Sequence, residues 1–303
     1  MMGGWGKALG RGLLRWYLRR FPLREGKGWL YERCHAPFLP RGRRVIMKVD
    51  QGFSLQLDLA EPTQRRIYYY GTYDERHEVR LVQRLLEEGE VFWDVGANIG
   101  YFTLAAAAAL RNTGEVAAFE PGAAAYRGLK ENVALNAFGN IRTYPVAAAD
   151  REGEGELFLG GDYADGGASL FKGPAATGPG QPCRLVRLDR FRQEEGLAAP
   201  DFIKLDIEGA ELAALQGAKE ILAMHQPLLL VEMKESVLRA AGLDKGIIQD
   251  FLRSLGYRAA YLQRGRWVLT EDVRPVRSRN IFWFKPGLSR HRYKAHRIPV
   301  RLG

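Results

Sequence analysis

Two stretches of this chain hold residue types whose spacing points to chemistry. In the first, Asp94-Val95-Gly96-Ala97-Asn98-Ile99-Gly100 follows a short apolar run and opens a helical one, and Glu120-Pro121 ends the next apolar run. Glycines at such a turn let the backbone bend tightly and approach a ligand closely. A carboxylate about 20 residues later, at the end of the next strand, can accept both hydroxyls of a ribose, so the pair points to a nucleoside-bearing ligand. In the second stretch, Lys204, Asp206 and Glu208 alternate around the end of another apolar run, so all three point to one face. Glu232, ending the following run, is a further acid facing the same crevice.

The details of the first stretch separate candidate ligands. A dinucleotide fingerprint places a second glycine where this chain has Asn98, and that glycine is what admits the pyrophosphate. Asp94 at the strand end repels a pyrophosphate and welcomes an ammonium. No Gly-Lys-Ser/Thr follows the glycines, which excludes a phosphate-binding loop of the Walker type. An ammonium and a ribose without phosphates describe S-adenosylmethionine better than a nicotinamide dinucleotide. The candidate cofactor-binding residues are therefore Asp94, Gly96, Asn98, Gly100 and Glu120.

Methyl transfer from a sulfonium is an in-line displacement with a good leaving group, so the protein must chiefly align the acceptor with the methyl carbon. Positioning of this kind supplies about 7–11 kcal/mol in favourable cases. An alcohol acceptor must also lose a proton, which calls for a base within hydrogen-bond reach. Asp206 is the candidate base or acceptor-orienting group, with Lys204 and Glu208 beside it as the remaining candidate catalytic residues. The competing assignments have Asp206 fixing the cofactor's amine, Glu208 capping a helix that begins near Gly209, or Glu208 neutralising Lys204. The acids give a metal only weak support, so no metal is expected, and His225 reads as structural or solvent-facing.

The elements that position these groups read as an α/β sheet. Val45, Met47 and Val49 alternate, Asp50-Gln51-Gly52 reads as a turn, and Phe53, Leu55, Leu57 and Leu59 alternate again, which predicts a β-hairpin. After Gly89, strand candidates 91–93, 116–119, 141–144, 202–205 and 228–231 alternate with helical segments 101–110, 123–136, 210–222 and 245–255. Late strands at 257–262, 267–269 and 281–284 fit a hairpin closing one sheet edge. Between Gly160 and Pro182, 10 of 23 residues are Gly or Pro, which predicts a long loop and suits a lid.

The 303 residues carry a net charge of +10, and its distribution is uneven. Residues 1–48 hold 12 Lys and Arg against 2 Asp and Glu, residues 285–303 hold 6 against none, and the body between is net acidic at 27 against 33. Basic ends suit an anionic membrane surface, a nucleic acid or an acidic partner, and equally serve as solubilising tails. Arg11, Arg15 and Arg19 form one helical stripe and Leu9, Leu13 and Trp16 another, and the apolar stripe is expected to pack on its own domain rather than lie on a membrane. Those arginines also interrupt any signal-peptide core, and the run from Leu104 to Leu110 is too short to span a bilayer. Cys34 and Cys183 form neither a disulfide framework nor a zinc site, which fits a cytoplasmic protein, with the basic N-terminus allowing contact with the inner face of a membrane.

Asp94 to Thr103 resembles the first motif of FkbM-type methyltransferases. The similarity continues through Ala118 to Pro121, Asn132 to Asn136, Ala147 to Asp150, Phe202 to Glu211 and Pro227 to Glu232. The resemblance implies a Rossmann-like class I methyltransferase fold, a seven-stranded mixed sheet with its last strand antiparallel, here preceded by a basic helix and the hairpin. It implies S-adenosylmethionine-dependent O-methylation of a hydroxyl on a sugar, glycan, polyketide or related metabolite. By position, Asp94, Gly96 and Asn98 meet the methionine part, Glu120 the ribose and Asp150 the adenine. Asp150 has its own rationale, since an acid just beyond the third strand can accept from an exocyclic amine. The expected organisation is a basic helical arm at 1–40, the hairpin and lead-in at 41–80, the methyltransferase domain at 81–285 and a basic tail at 286–303. The alternative is an RNA methyltransferase whose basic tails hold phosphates, although no aromatic and basic interleaved strand of the RNA-reading kind is present.

Overall fold

The computed structural model describes residues 4–21, 25–40, 44–159, 168–171, 179–287 and 300–301. The chain forms two compact units, Met1–Arg76 and His77–Gly303. The first contains α1 (Gly4–Arg20), α2 (Lys27–Cys34), β1 (Arg44–Lys48), β2 (Ser54–Asp58) and α3 (Pro62–Tyr70). Strands β1 and β2 pair antiparallel with Met47 opposite Leu55. The turn between them needs Gly52, whose φ is 95°. Alternation buries Met47, Leu55 and Leu57 on one face. Pro62 starts α3, where its missing N–H costs nothing, and Gly71 ends it at a φ of 75°.

Helix α1 reverses the expected packing. Leu9, Leu13 and Trp16 are exposed, while Leu14 and Leu18 are buried. The arginine stripe is the side held by the unit: Arg15 lies 4.2 Å from the Tyr68 ring centroid and donates to the Tyr68 carbonyl, and Arg19 pairs with Asp50. A π face, a carbonyl and a carboxylate thus meet groups that would otherwise favour water.

The second unit runs α4 (Arg76–Leu85), β3 (Val91–Val95), α5 (Tyr101–Ala109), β4 (Glu115–Phe119), α6 (Ala123–Ala134), β5 (Ile141–Tyr144), β6 (Val146–Ala148), β7 (Gly153–Leu159), β8 (Ala168–Ser169), β9 (Gln181–Val186), α7 (Leu188–Glu194), β10 (Phe202–Leu205), α8 (Glu211–Gly217), α9 (Lys219–Met224), β11 (Leu228–Glu232), α10 (Glu235–Ala240), α11 (Lys245–Ser254), β12 (Arg258–Gln263), β13 (Arg266–Thr270), β14 (Asn280–Phe284) and β15 (Val300–Arg301). The main sheet has the order β15-β13-β12-β14-β11-β10-β3-β4-β5. Strands β5, β4, β3, β10 and β11 are parallel, and β14 enters antiparallel between β11 and β12. Where the resemblance implies seven strands, the sheet has nine among the described residues, with β13 and β15 lying beyond β12 at one edge. Every residue of β3, β10 and β11 is buried, as helices on both faces of a parallel sheet require. Winding leaves β3 toward β4 on one side and toward β10 on the other, so a crevice opens at the carboxyl ends of β3 and β10.

Part of the predicted 160–182 loop is strand. Ala168 and Ser169 pair with β7, and β9 begins at Gln181, giving a second sheet of order β6-β9-β7-β8. Its inward positions, Leu157, Cys183 and Leu185, pack with Ala147 and Ala149. The period of two was short and interrupted by Gly, Pro and charged residues, which hid it. Residues 160–167 and 172–178, on which most of the lid expectation falls, lie outside the described residues. The single helix expected over 210–222 is two, α8 and α9. The break falls where a Cβ on Gly217 would sit 1.9 Å from the Ala149 carbonyl, and the Asp189 carboxylate accepts the N–H groups of Glu220 and Ile221 at the start of α9.

Candidate active site

The turn after β3 is built to bring two backbones together. Gly96 has a φ of 84°, and a Cβ there would stand 1.8 Å from the carbonyl oxygen of Asp206. No side chain fits, and the turn from β3 packs directly on the turn from β10. Gly96 and Ala97 both donate N–H to the Phe119 carbonyl at 2.9 and 3.0 Å, which ties the turn to β4 as well. Asn98 takes a left-handed φ of 50° and is exposed, a conformation its type tolerates better than most. Gly100, at φ 89°, precedes α5, where a Cβ would fall 2.6 Å from Leu129 Cδ1.

Glu120 is held at this turn by main-chain donors. Asn98 N–H donates to Oε2 and Gly122 N–H to Oε1, both at 2.8 Å. Burial pushes its carboxyl up to about 7, against the lowering effect of those two amides. Each oxygen keeps a lone pair for a further donor.

Below the turn, Asp94 is fully buried. Thr103 Oγ1 donates to Oδ2 at 2.6 Å. Oδ1 has no hydrogen-bond donor among the described residues, with Lys204 Nζ standing 3.7 Å away. Burial raises the Asp94 carboxyl, and Lys204 and Thr103 oppose that rise. Lys204 lies opposite Asp94 in the β10–β3 register. Its ammonium is 3.1 Å from Asp206 Oδ2, donates to the Gly96 carbonyl at 3.3 Å and sits 4.9 Å from the Phe102 ring centroid. Two acids and a cation–π contact compensate a nearly inaccessible lysine.

Asp206 is the member of this group that reaches the crevice, its side chain 21% exposed against 5% for Lys204. Burial works to raise its carboxyl, but Lys204 and a hydrogen bond with Glu232 prevail and hold it below the usual carboxylate range.

Glu208 departs from its expected partners. It sits at a left-handed φ of 49° and meets Lys234 at 3.8 Å. The cap expected of Glu208 is made by Glu211, whose carboxylate accepts the N–H groups of Gly209 and Ile207 from one turn further on. Burial pushes Glu211 up to about 7. Sequence reasoning passed over Glu211; its signal was an acid in a first helical turn just after a glycine. Asp206, Glu208 and Glu232 bring one carboxylate oxygen each within 4.8 Å of one another. Ser169 reaches the same turn, donating to the Glu208 carbonyl at 2.6 Å. Asp150 follows β6 rather than β5, is exposed, and pairs with Arg151 at 3.4 Å.

Residues 94–259 match the family model of the methyltransferase FkbM domain, over more than half of the chain. The chain belongs to the FkbM methyltransferase family. It is similar to AMB antimetabolite synthetase AmbE of Pseudomonas aeruginosa, 28% identical over 74% of this chain and 12% of that protein, so it spans about an eighth of that relative's length. Among solved structures, it is similar to methyltransferase FkbM from Methylobacillus flagellatus, at 20% identity and a TM-score of 0.44, covering 66% of this chain and 44% of that one. It is also similar to an S-adenosylmethionine-dependent O-methyltransferase from Thermotoga maritima, at 10% identity and a TM-score of 0.39, covering 82% and 94% of the two chains. Among the described residues, no helix is long and apolar enough to cross a membrane.

Proposed function

We propose that this FkbM methyltransferase transfers a methyl group to the oxygen of a hydroxyl on a sugar, glycan, polyketide or related small metabolite. The observation that carries the reading is the contact of the Gly96 turn with the Asp206 carbonyl, which sets the donor turn and an ionised carboxylate side by side. The residues present suit the donor. Asp94 Oδ1 is a buried acceptor with capacity left for an ammonium, and Glu120 keeps lone pairs for ribose hydroxyls. Asp94, Gly96, Asn98 and Gly100 form the cradle for the amino-acid part, Glu120 holds the ribose, and Asp150 serves the adenine. S-adenosylmethionine supplies an activated methyl group on a sulfonium that leaves readily.

The chain's own work is alignment and proton handling. Asp206 accepts the acceptor's hydroxyl proton in a hydrogen bond, and its depressed affinity for protons keeps it ionised for that task at neutral pH. Lys204 fixes the Asp206 carboxylate from behind. Glu208 and Glu232 line the same turn and offer further acceptors to a polyhydroxylated substrate. The similarity to a segment of AmbE, a protein named for antimetabolite synthesis, supports a small-metabolite acceptor.

Calorimetric titration with S-adenosylmethionine, followed by transfer of labelled methyl to saccharide, lipid and RNA fractions, tests the reading. Binding that is lost in Glu120→Ala, with label entering a base-stable product in the saccharide or small-molecule fraction, is the expected result. Label confined to RNA, or no binding of the donor, overturns it.

A further inference from the structure

We infer that α1 is a membrane-docking helix that lays its outer face on an anionic lipid bilayer. Trp5, Leu9, Leu13 and Trp16 fall at i, i+4, i+8 and i+11 and form one ridge along the helix. Their relative exposures are 94%, 67%, 61% and 58%. Single exposed apolar residues are ordinary, but four large ones in one line, two of them tryptophan, mark an interaction surface. The inner side of the same helix is already occupied: Leu14 and Leu18 are buried and Arg15 and Arg19 are tied to Tyr68 and Asp50. The ridge is therefore not a core face turned out by a rotated helix, because the helix has a separate core face in use.

Charge selects the occupant. Helix α1 contains five Lys and Arg and no acid. Exposed Lys7 lies near its start, and exposed Arg20 continues the ridge beyond Trp16. Apolar residues between basic ones suit a bilayer surface, where the apolar side enters the acyl boundary and the bases meet anionic headgroups. Tryptophan is the residue type that favours that boundary. A second copy of this chain docking by the same helix would meet the exposed Lys7 and Arg20 with like charges, with no acid on either helix to compensate.

Flotation of the full-length protein with phosphatidylcholine vesicles, with and without about one-third phosphatidylserine, tests this. The wild type is expected to float with the anionic vesicles and stay behind with the neutral ones, and added salt should release it. The double variant Trp5→Ala/Trp16→Ala should reduce binding to anionic vesicles at least about tenfold with an unchanged melting temperature, since both rings are exposed. A second variant, Leu9→Gln/Leu13→Gln, should do the same without removing an aromatic ring. Three outcomes overturn the inference: no binding to either vesicle, equal binding to both, or a dimer in sedimentation that the tryptophan variant dissociates.

Discussion

The ammonium of Lys204 lies 3.1 Å from Asp206 and also stands 3.7 Å from the buried Asp94. One cation therefore compensates two carboxylates of different exposure. Lys204→Met is expected to remove the charge that offsets the burial of Asp94 and Asp206, costing about 3–5 kcal/mol of stability. Urea denaturation at pH 7 measures this. A loss under about 1 kcal/mol would show that the lysine is not the compensating charge.

Replacement of Asp206 separates its two possible tasks. If it orients the acceptor, Asp206→Asn lowers kcat by about 10²–10⁴ and leaves the affinity for S-adenosylmethionine within a few-fold of wild type. Titration calorimetry together with initial rates gives both quantities. A large fall in donor affinity with little change in kcat would assign Asp206 to the donor's amine.

On the proposed assignment of Glu120 to the ribose, donor binding should depend on pH. The Glu120 carboxyl sits at about 7 in the free protein, and only the ionised form can accept from both ribose hydroxyls. Donor binding should therefore lower that value, release protons near neutrality and weaken as pH falls, by about tenfold at pH 6 relative to pH 8. For folding the sign is different. A carboxyl raised above its unfolded value disfavours the folded state above that unfolded value, so its contribution to stability worsens as pH rises from about 4.5 to 7, by about 3 kcal/mol. Calorimetry in buffers of different ionisation enthalpy reads the proton release, and Glu120→Gln should abolish it.

Gly96→Ala should do more than remove flexibility. The new methyl group would meet a main-chain oxygen that no rotamer change can move, and φ would be left in a region alanine avoids. A loss of about 3 kcal/mol or more is expected, with donor binding abolished at temperatures where the variant remains folded. Thermal melting with and without donor reports both effects, and a donor-induced rise in melting temperature equal to that of wild type would refute it.

Local signals were the legible ones. The 94–100 turn and Glu120 could be read because tight turns demand particular residues at adjacent positions. Strands β3, β10 and β11 could be read because burial on both faces leaves unbroken apolar runs. What escaped depends on distant partners. Asp189 caps α9 from 31 residues away, and Lys245 donates to the carbonyls of Val276 and Ser278. Strand β6 exists because Val146 pairs opposite Arg184, a match invisible along the chain. Helix α1 displayed two stripes at the right spacing, but only Tyr68 and Asp50 decided which turned inward.

Strands β3 and β10 lie side by side in register, Asp94 opposite Lys204, although more than a hundred residues of chain separate them. The intervening β6–β9 sheet hydrogen-bonds among its own strands and not to either of them. Ser169 of that sheet donates to the Glu208 carbonyl, so a strand outside the main sheet reaches the crevice at the turn after β10. Ser169→Ala should therefore shift acceptor preference while leaving the affinity for the donor near that of wild type.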